Sequence, residues 1–207
     1  MQRDLFIFSR RQTDQGRVVL LNMEDYIVSL KFLILPGIGN SDENHWQSFW
    51  ERKHSGFKRI QQENWESPIC ADWLNQLEQD VRVLGENTIL IAHSLSCLIV
   101  AHWAAQTTLK IAGALLVAPP DPEAQVFPKE AHGFSDFPLR PFNFISTVVA
   151  SENDPYADIE FSRSCANSWG SDFINIGMAG HINAASGLND WPQGELILEN
   201  LVNKMDA

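Results

Sequence analysis

Three side chains of different chemistry recur after apolar runs of the 207-residue chain: Ser94 in "LIAHSLSCL", Asp154 in "SENDPY" and Gly-flanked His181 in "MAGHINAASG". A hydroxyl becomes a useful nucleophile when a neighbouring base removes its proton. An imidazole, with an ordinary pKa of about 6.5, takes up and returns protons near neutrality. A carboxylate behind the imidazole fixes its tautomer and stabilises the imidazolium that forms. Together the three groups would carry out attack of a hydroxyl on a carbonyl carbon.

Each residue also has a plainer role to set beside this one. Ser94 lies where a buried strand runs into a helix, and a serine there can simply cap the helix. A turn sharp enough to project its side chain needs small residues two before and two after; Ala92 and Ser96 stand where glycine is usual. Asp154 precedes Pro155, the pairing of an N-cap with a proline at the first helical position. Asp121 in "VAPPDP" is the rival acid, and Asp154 is preferred to it. The chain order serine, acid, histidine matches the order in which a doubly wound sheet supplies such groups. His45, His54, His93, His102 and His132 are less well placed than His181. Alternation along a strand should turn His93 away from Ser94.

An oxyanion formed at the carbonyl would need N–H donors. Leu95, at the start of the helix, is one candidate; Ile38, or else Gly39, in "LPGIGNSDENHW" is the other. Gly39, His45 and Trp191 are candidate pocket-lining residues. His93, Cys97 and His102 do not have the spacing of a metal site, and no metal is expected.

Apolar runs rich in β-branched residues, separated by amphipathic stretches, must position these groups. Strands are predicted over 29–35, 58–62, 87–93, 111–118, 143–150 and 172–177, and helices over 42–53, 68–84, 95–107, 155–169 and 193–205. The alternation predicts an α/β fold: a three-layer, doubly wound, mostly parallel sheet in the order 2-1-3-4-5-6. The loop after the first strand then faces the turn at Ser94 across the crevice where the order reverses. Residues 1–28 fit no element and form an N-terminal extension, either a short hairpin or an arm; residues 29–207 form the main domain. The Pro- and Phe-rich segment "QVFPKEAHGFSDFPLRPFNF" is expected to be a pocket wall or flap. Most tryptophans lie on predicted helices and are expected to pack against the sheet.

A net charge of -11 opposes binding to a nucleic acid or an anionic membrane. No apolar stretch reaches the ~18 residues of a membrane span, and the run Leu5–Phe8 is too short for a signal-peptide core. Three cysteines without a paired spacing suggest reduced thiols in a cytoplasmic protein.

The blocks "LPGIGNSDENHWQSFWE", "IAHSLSCL", "LLVAPPD", "SENDPY" and "AGHINAASGLNDWPQGE" resemble the small serine hydrolase family of retinoblastoma-binding protein 9 and YdeN, over roughly residues 31–200. The resemblance implies a minimal α/β-hydrolase without a large lid or cofactor, with Ser94 as nucleophile, Asp154 as acid and His181 as base. It implies hydrolysis of a small-molecule acyl substrate, with carboxylesterase activity the first expectation. Ser96 departs from the family's usual glycine. The Leu-x-Cys-x-Glu motif is absent, since "LSCLI" ends in Ile99, so no retinoblastoma-type partner is expected. A catalytically weak or inactive binding or scaffold protein on the same fold is the alternative, motivated by Ser96 and the acidic surface.

Overall fold

Six apolar runs pair as one parallel sheet: β1 (Lys31–Leu35), β2 (Phe57–Arg59), β3 (Thr88–His93), β4 (Gly113–Val117), β5 (Ile145–Ala150) and β6 (Asp172–Asn175). Their order is β2-β1-β3-β4-β5-β6, as the alternation of elements predicts. The computed structural model describes residues 30–205 and, ahead of them, the backbone of residues 13–14 and 17–18. The chain divides into two units, Met1–Leu30 and Lys31–Ala207. In the first, Thr13–Asp14 pairs antiparallel with Arg17–Val18. The rest of the extension expected over 1–28 lies outside the described residues.

Among the described residues, five α-helices connect and cover the strands: α1 (Trp46–Lys53), α2 (Cys70–Leu84), α3 (Leu95–Gln106), α4 (Ile159–Trp169) and α5 (Pro192–Lys204). Because strand side chains alternate between faces, each buried strand feeds two layers. Leu33, Leu35, Leu90, Ala92, Leu116 and Val148 join Trp73, Trp103 and Trp169 from α2, α3 and α4 in one core. Residues of the other parity, such as Ile34, Ile91, Leu115 and Val149, are equally buried and meet the layer of α1 and α5. There Trp46, Trp50 and Trp191 pack ring against ring, Trp50 and Trp191 nearly parallel with centroids 5.9 Å apart.

Several boundaries differ from the sequence expectation for identifiable reasons. The helix expected from 42 begins at Trp46, because Asp42 closes a turn by accepting from the N–H groups of Asn44 and His45, and His45 takes the N-cap position. The helix expected from 155 begins at Ile159: Asp158 caps it by accepting from the Phe161 N–H, so Asp154 is not its cap. The weak strand expected over 58–62 is Phe57–Arg59. The long segment before β5 is no free flap. Phe134 is buried, Phe142 stacks on Trp169 at 5.3 Å, and the Trp169 indole donates to the Pro138 carbonyl.

Candidate active site

β3 ends in a turn that no ordinary L-residue adopts easily. Ser94 has φ 55° and ψ -126°, and its Oγ makes no capping bond to α3, which removes the plain N-cap reading. Positive φ at a serine is backbone strain, tolerated where the surroundings over-determine the turn. They do so here: the Ser94 N–H donates to the Val117 carbonyl of β4, and the Ser94 carbonyl accepts from the Cys97 N–H. The small neighbours matter too. Ser96, where glycine is usual, does not crowd the turn; its Oγ donates to the Pro36 carbonyl at 2.5 Å, tying α3 to the loop after β1. On that loop a Cβ at Gly37 would lie 2.9 Å from Ser94 Cβ, so glycine is required for the loop to pass this close.

The three side chains singled out in the sequence meet. Ser94 Oγ lies 2.8 Å from His181 Nε2, and His181 Nδ1 lies 2.8 and 2.9 Å from the two Asp154 oxygens. All three side chains are largely withdrawn from water. A carboxylate can only accept when ionised, so Nδ1 carries the imidazole proton and Nε2 presents its lone pair to the hydroxyl. Asp154 serves locally as well, its Oδ1 accepting from the Tyr156 N–H at 2.9 Å. Asp121, the rival acid, spends its carboxylate on the Glu123 N–H instead.

A cavity of about 360 Å³ opens over Ser94, walled by Ile38, Leu95, Tyr156, His181 and Ala184 among others. Pro128 is the contribution of the Pro- and Phe-rich segment to that wall. Gly39 and His45, named above as candidate lining residues, stand in the cavity wall. Trp191 does not. It is buried, begins α5 with φ 43°, and lies on Gly194 so closely that a Cβ there would meet its ring at 2.2 Å. Trp191 is therefore a core residue rather than a pocket residue. The Gly39 N–H donates to the Trp65 carbonyl at 2.8 Å, which leaves the Ile38 amide, with that of Leu95, unmatched by an acceptor among the described residues.

The loop bearing Ile38 is pinned from outside. Arg59 of β2 donates to Asn40 Oδ1 and to the Ser41 carbonyl, both at 2.8 Å, and Ser41 Oγ donates to Gln47 Oε1. Gln47 in turn donates to the Leu35 and Ile91 carbonyls, joining α1 to β1 and β3.

Two further histidines flank the site. Burial lowers the His45 pKa from 6.5 to about 4, with Arg59 and His181 adding to the effect and Asp42 opposing it. Burial also holds His93 well below the usual histidine range, helped by His45 and His181. His93, expected from strand alternation to turn away from Ser94, shares the parity of Ile91 and packs against His45 and Trp46 on the α1 side of the sheet; its ring also borders that of His181, with centroids 5.0 Å apart. Tyr156, with its ring centroid 4.5 Å from that of His181, is also a site residue that composition and spacing did not reveal. The thiols are poor competitors to Ser94. All three are free and buried, and burial pushes Cys70 up to about 11, Cys165 up to about 12 and Cys97 well above the usual range. Among the described residues no cluster of His, Cys, Asp and Glu could hold a metal ion.

The profile of the family described as "Serine hydrolase" matches residues 32–200. The chain belongs to this serine hydrolase family. A YdeN-like hydrolase from Pectobacterium atrosepticum is 30% identical and superposes with a TM-score of 0.78, covering 88% of this chain and 96% of its own. YdeN of Bacillus subtilis is 26% identical over 170 residues, 77% of this chain and 89% of YdeN. An alpha/beta hydrolase enzyme from the metagenome of lagoon sediments at Mar Chica, Morocco, is 13% identical. It has a TM-score of 0.65 over 86% of this chain and 92% of its own, a likeness of fold alone. This member of the serine hydrolase family thus has the α/β-hydrolase fold, with its strained serine turn at the carboxyl end of β3.

Proposed function

We propose that the protein transfers an acyl group to water through Ser94, His181 and Asp154, and that its substrates are small carboxylic esters. The continuous chain of contacts from the Ser94 hydroxyl through His181 to the Asp154 carboxylate carries this reading. His181 Nε2 takes the Ser94 proton as Oγ bonds to the carbonyl carbon. The carbonyl oxygen becomes an oxyanion beside the Ile38 and Leu95 amides. The C–O bond to the leaving alcohol then breaks, and the alcohol departs with the proton returned by His181. Water enters, gives a proton to Nε2 and its oxygen to the acyl carbon; the Ser94–acyl bond breaks, Oγ regains the proton, and the acid leaves. Asp154 remains ionised throughout and stabilises the imidazolium.

The cavity's modest volume favours small acyl groups, and Pro128, Tyr156, Ile38 and Ala184 give it apolar wall. The reaction as drawn uses no cofactor. Free, buried cysteines support a reducing, cytoplasmic setting. No helix among the described residues is long and apolar enough to cross a membrane. Residues 29–207 are the unit to which the activity is assigned, with the N-terminal extension outside it. Ser96, the main motive for an inactive scaffold, is satisfied by Pro36 and leaves the Ser94–His181 contact at hydrogen-bond distance. The test is turnover of p-nitrophenyl esters of increasing acyl length by the wild type and by Ser94→Ala. The proposal expects turnover, fastest on short chains, that vanishes in the variant; a folded wild type inert to the whole panel refutes it.

A further inference from the structure

The backbone around His181 is held in an unfavourable conformation. Gly180 has φ 57° and Ile182 has φ 49°, and a β-branched residue is among the least suited to that region. Such a turn persists only where its surroundings impose it. Two buried side chains reach it. His93 Nε2 lies 2.9 Å from the His181 carbonyl oxygen, and Trp46 Nε1 donates to the next carbonyl, that of Ile182, at 2.8 Å. A carbonyl only accepts, so Nε2 of His93 carries its ring's proton. Burial keeps the ring neutral, with a single N–H committed to this bond. His93 and Trp46 also pack edge to face, 6.1 Å between centroids, so the two anchors support one another.

His93 is the last residue of β3, so its main chain leads directly into the turn that projects Ser94. One residue thus links the hydroxyl, through the backbone, to the imidazole loop, through its side chain. We propose that His93 is a positioning residue: its Nε2–H holds the His181 carbonyl, with Trp46 as second anchor, and so keeps the His181 imidazole in register with Ser94. The proposal rests on the hydrolytic reading above. It predicts a loss in turnover rather than in substrate binding, because a misplaced base impairs the chemical step; displacements of about 1 Å cost on the order of 100-fold.

The experiment uses the full chain with His93→Leu, His93→Gln and Trp46→Phe. It reads kcat and KM on a p-nitrophenyl ester and the downfield NMR resonance of the His181 Nδ1 proton bonded to Asp154, assigned by its loss in His181→Ala. His93→Leu should lower kcat about 10- to 100-fold, leave KM within about threefold, and broaden or shift the resonance. Gln offers an N–H to the same carbonyl, so His93→Gln should recover part of both signals, and Trp46→Phe should show a smaller loss of kcat. A folded His93→Leu protein with wild-type kcat and an unchanged resonance overturns the proposal. Equal losses in the Leu and Gln variants with the resonance intact also overturn it, since that pattern reports packing alone. If His93→Leu does not fold, Trp46→Phe decides: lowered kcat at constant KM supports the clamp, and unchanged kcat and resonance refute it. A wild type inert to esters defeats the hydrolytic reading instead, while the resonance still reports whether His93 holds the loop.

Discussion

Acidification should weaken the fold through His45, and the amount follows from its surroundings. His45 caps α1 by accepting the Gln47 N–H at Nδ1, at 3.2 Å, so it needs a lone pair where a proton would otherwise sit. The residue is only 5% exposed, so water does little to screen a charge placed there. Burial first, then Arg59 and His181, outweigh the attraction of Asp42 and lower its pKa from 6.5 to about 4. The unfolded chain therefore binds this proton at about 6.5 and the folded protein only near 4, so between those values the unfolded state holds more protons. The stabilisation is complete above pH 6.5 and is lost as the pH falls towards 4. At about 1.4 kcal/mol per pH unit the loss at pH 4 is about 3 kcal/mol. Urea unfolding of the wild type and His45→Asn at pH 7, 6, 5 and 4 measures it. Asparagine keeps an oxygen at the cap and does not titrate. His93, also lowered, is present in both proteins, and burial, the main cause of its shift, is common to them, so the two profiles differ chiefly through His45. The wild type should lose about 3 kcal/mol more than the variant over this range; stability profiles that run parallel would refute the assignment of a neutral, buried His45.

Three substitutions probe the rest of the site. Asp154→Asn should reduce ester turnover by about 10⁴, by analogy with triad acids in general, while Asp121→Asn should leave it near wild type, as steady-state kinetics will show. Gly37→Ala should lower kcat at least tenfold, because the added Cβ would lie 2.9 Å from Ser94 Cβ and must displace either the serine or the loop bearing Ile38. Ser96→Ala should lose the bond to the Pro36 carbonyl and about 1 kcal/mol of stability in urea titrations, with that carbonyl left unpaired.

Much of this arrangement was legible in the amino-acid sequence because it follows from burial. "TILIAH" and "GALLV" are continuous apolar runs because parallel central strands are covered on both faces, and the alternation of such runs with amphipathic stretches yields the observed sheet order. Ser94, Asp154 and His181 could be ranked because each follows the carboxyl end of a strand, which is a property of chain order. What was hidden depends on side-chain direction in irregular backbone. Strand alternation sets the face that His93 takes but carries no sign that its ring reaches the His181 carbonyl, and Trp191 was misread because its left-handed φ at the start of α5 sends the ring onto Gly194 and Trp50 instead of into the cavity. The start of α4 moved from 155 to 159 because Asp154 is engaged with His181 and the Tyr156 N–H. Arg59, distant in sequence from the loop it pins, carries no local signal of that role.

The central claim is that His181 activates the Ser94 hydroxyl. Reaction with a fluorophosphonate followed by peptide mapping in a mass spectrometer tests it most directly. The account predicts one adduct, on Ser94, formed rapidly in the wild type and at a rate at least about 10³-fold lower in His181→Ala. An adduct on another residue, or labelling of Ser94 that is unchanged when His181 is removed, would contradict it.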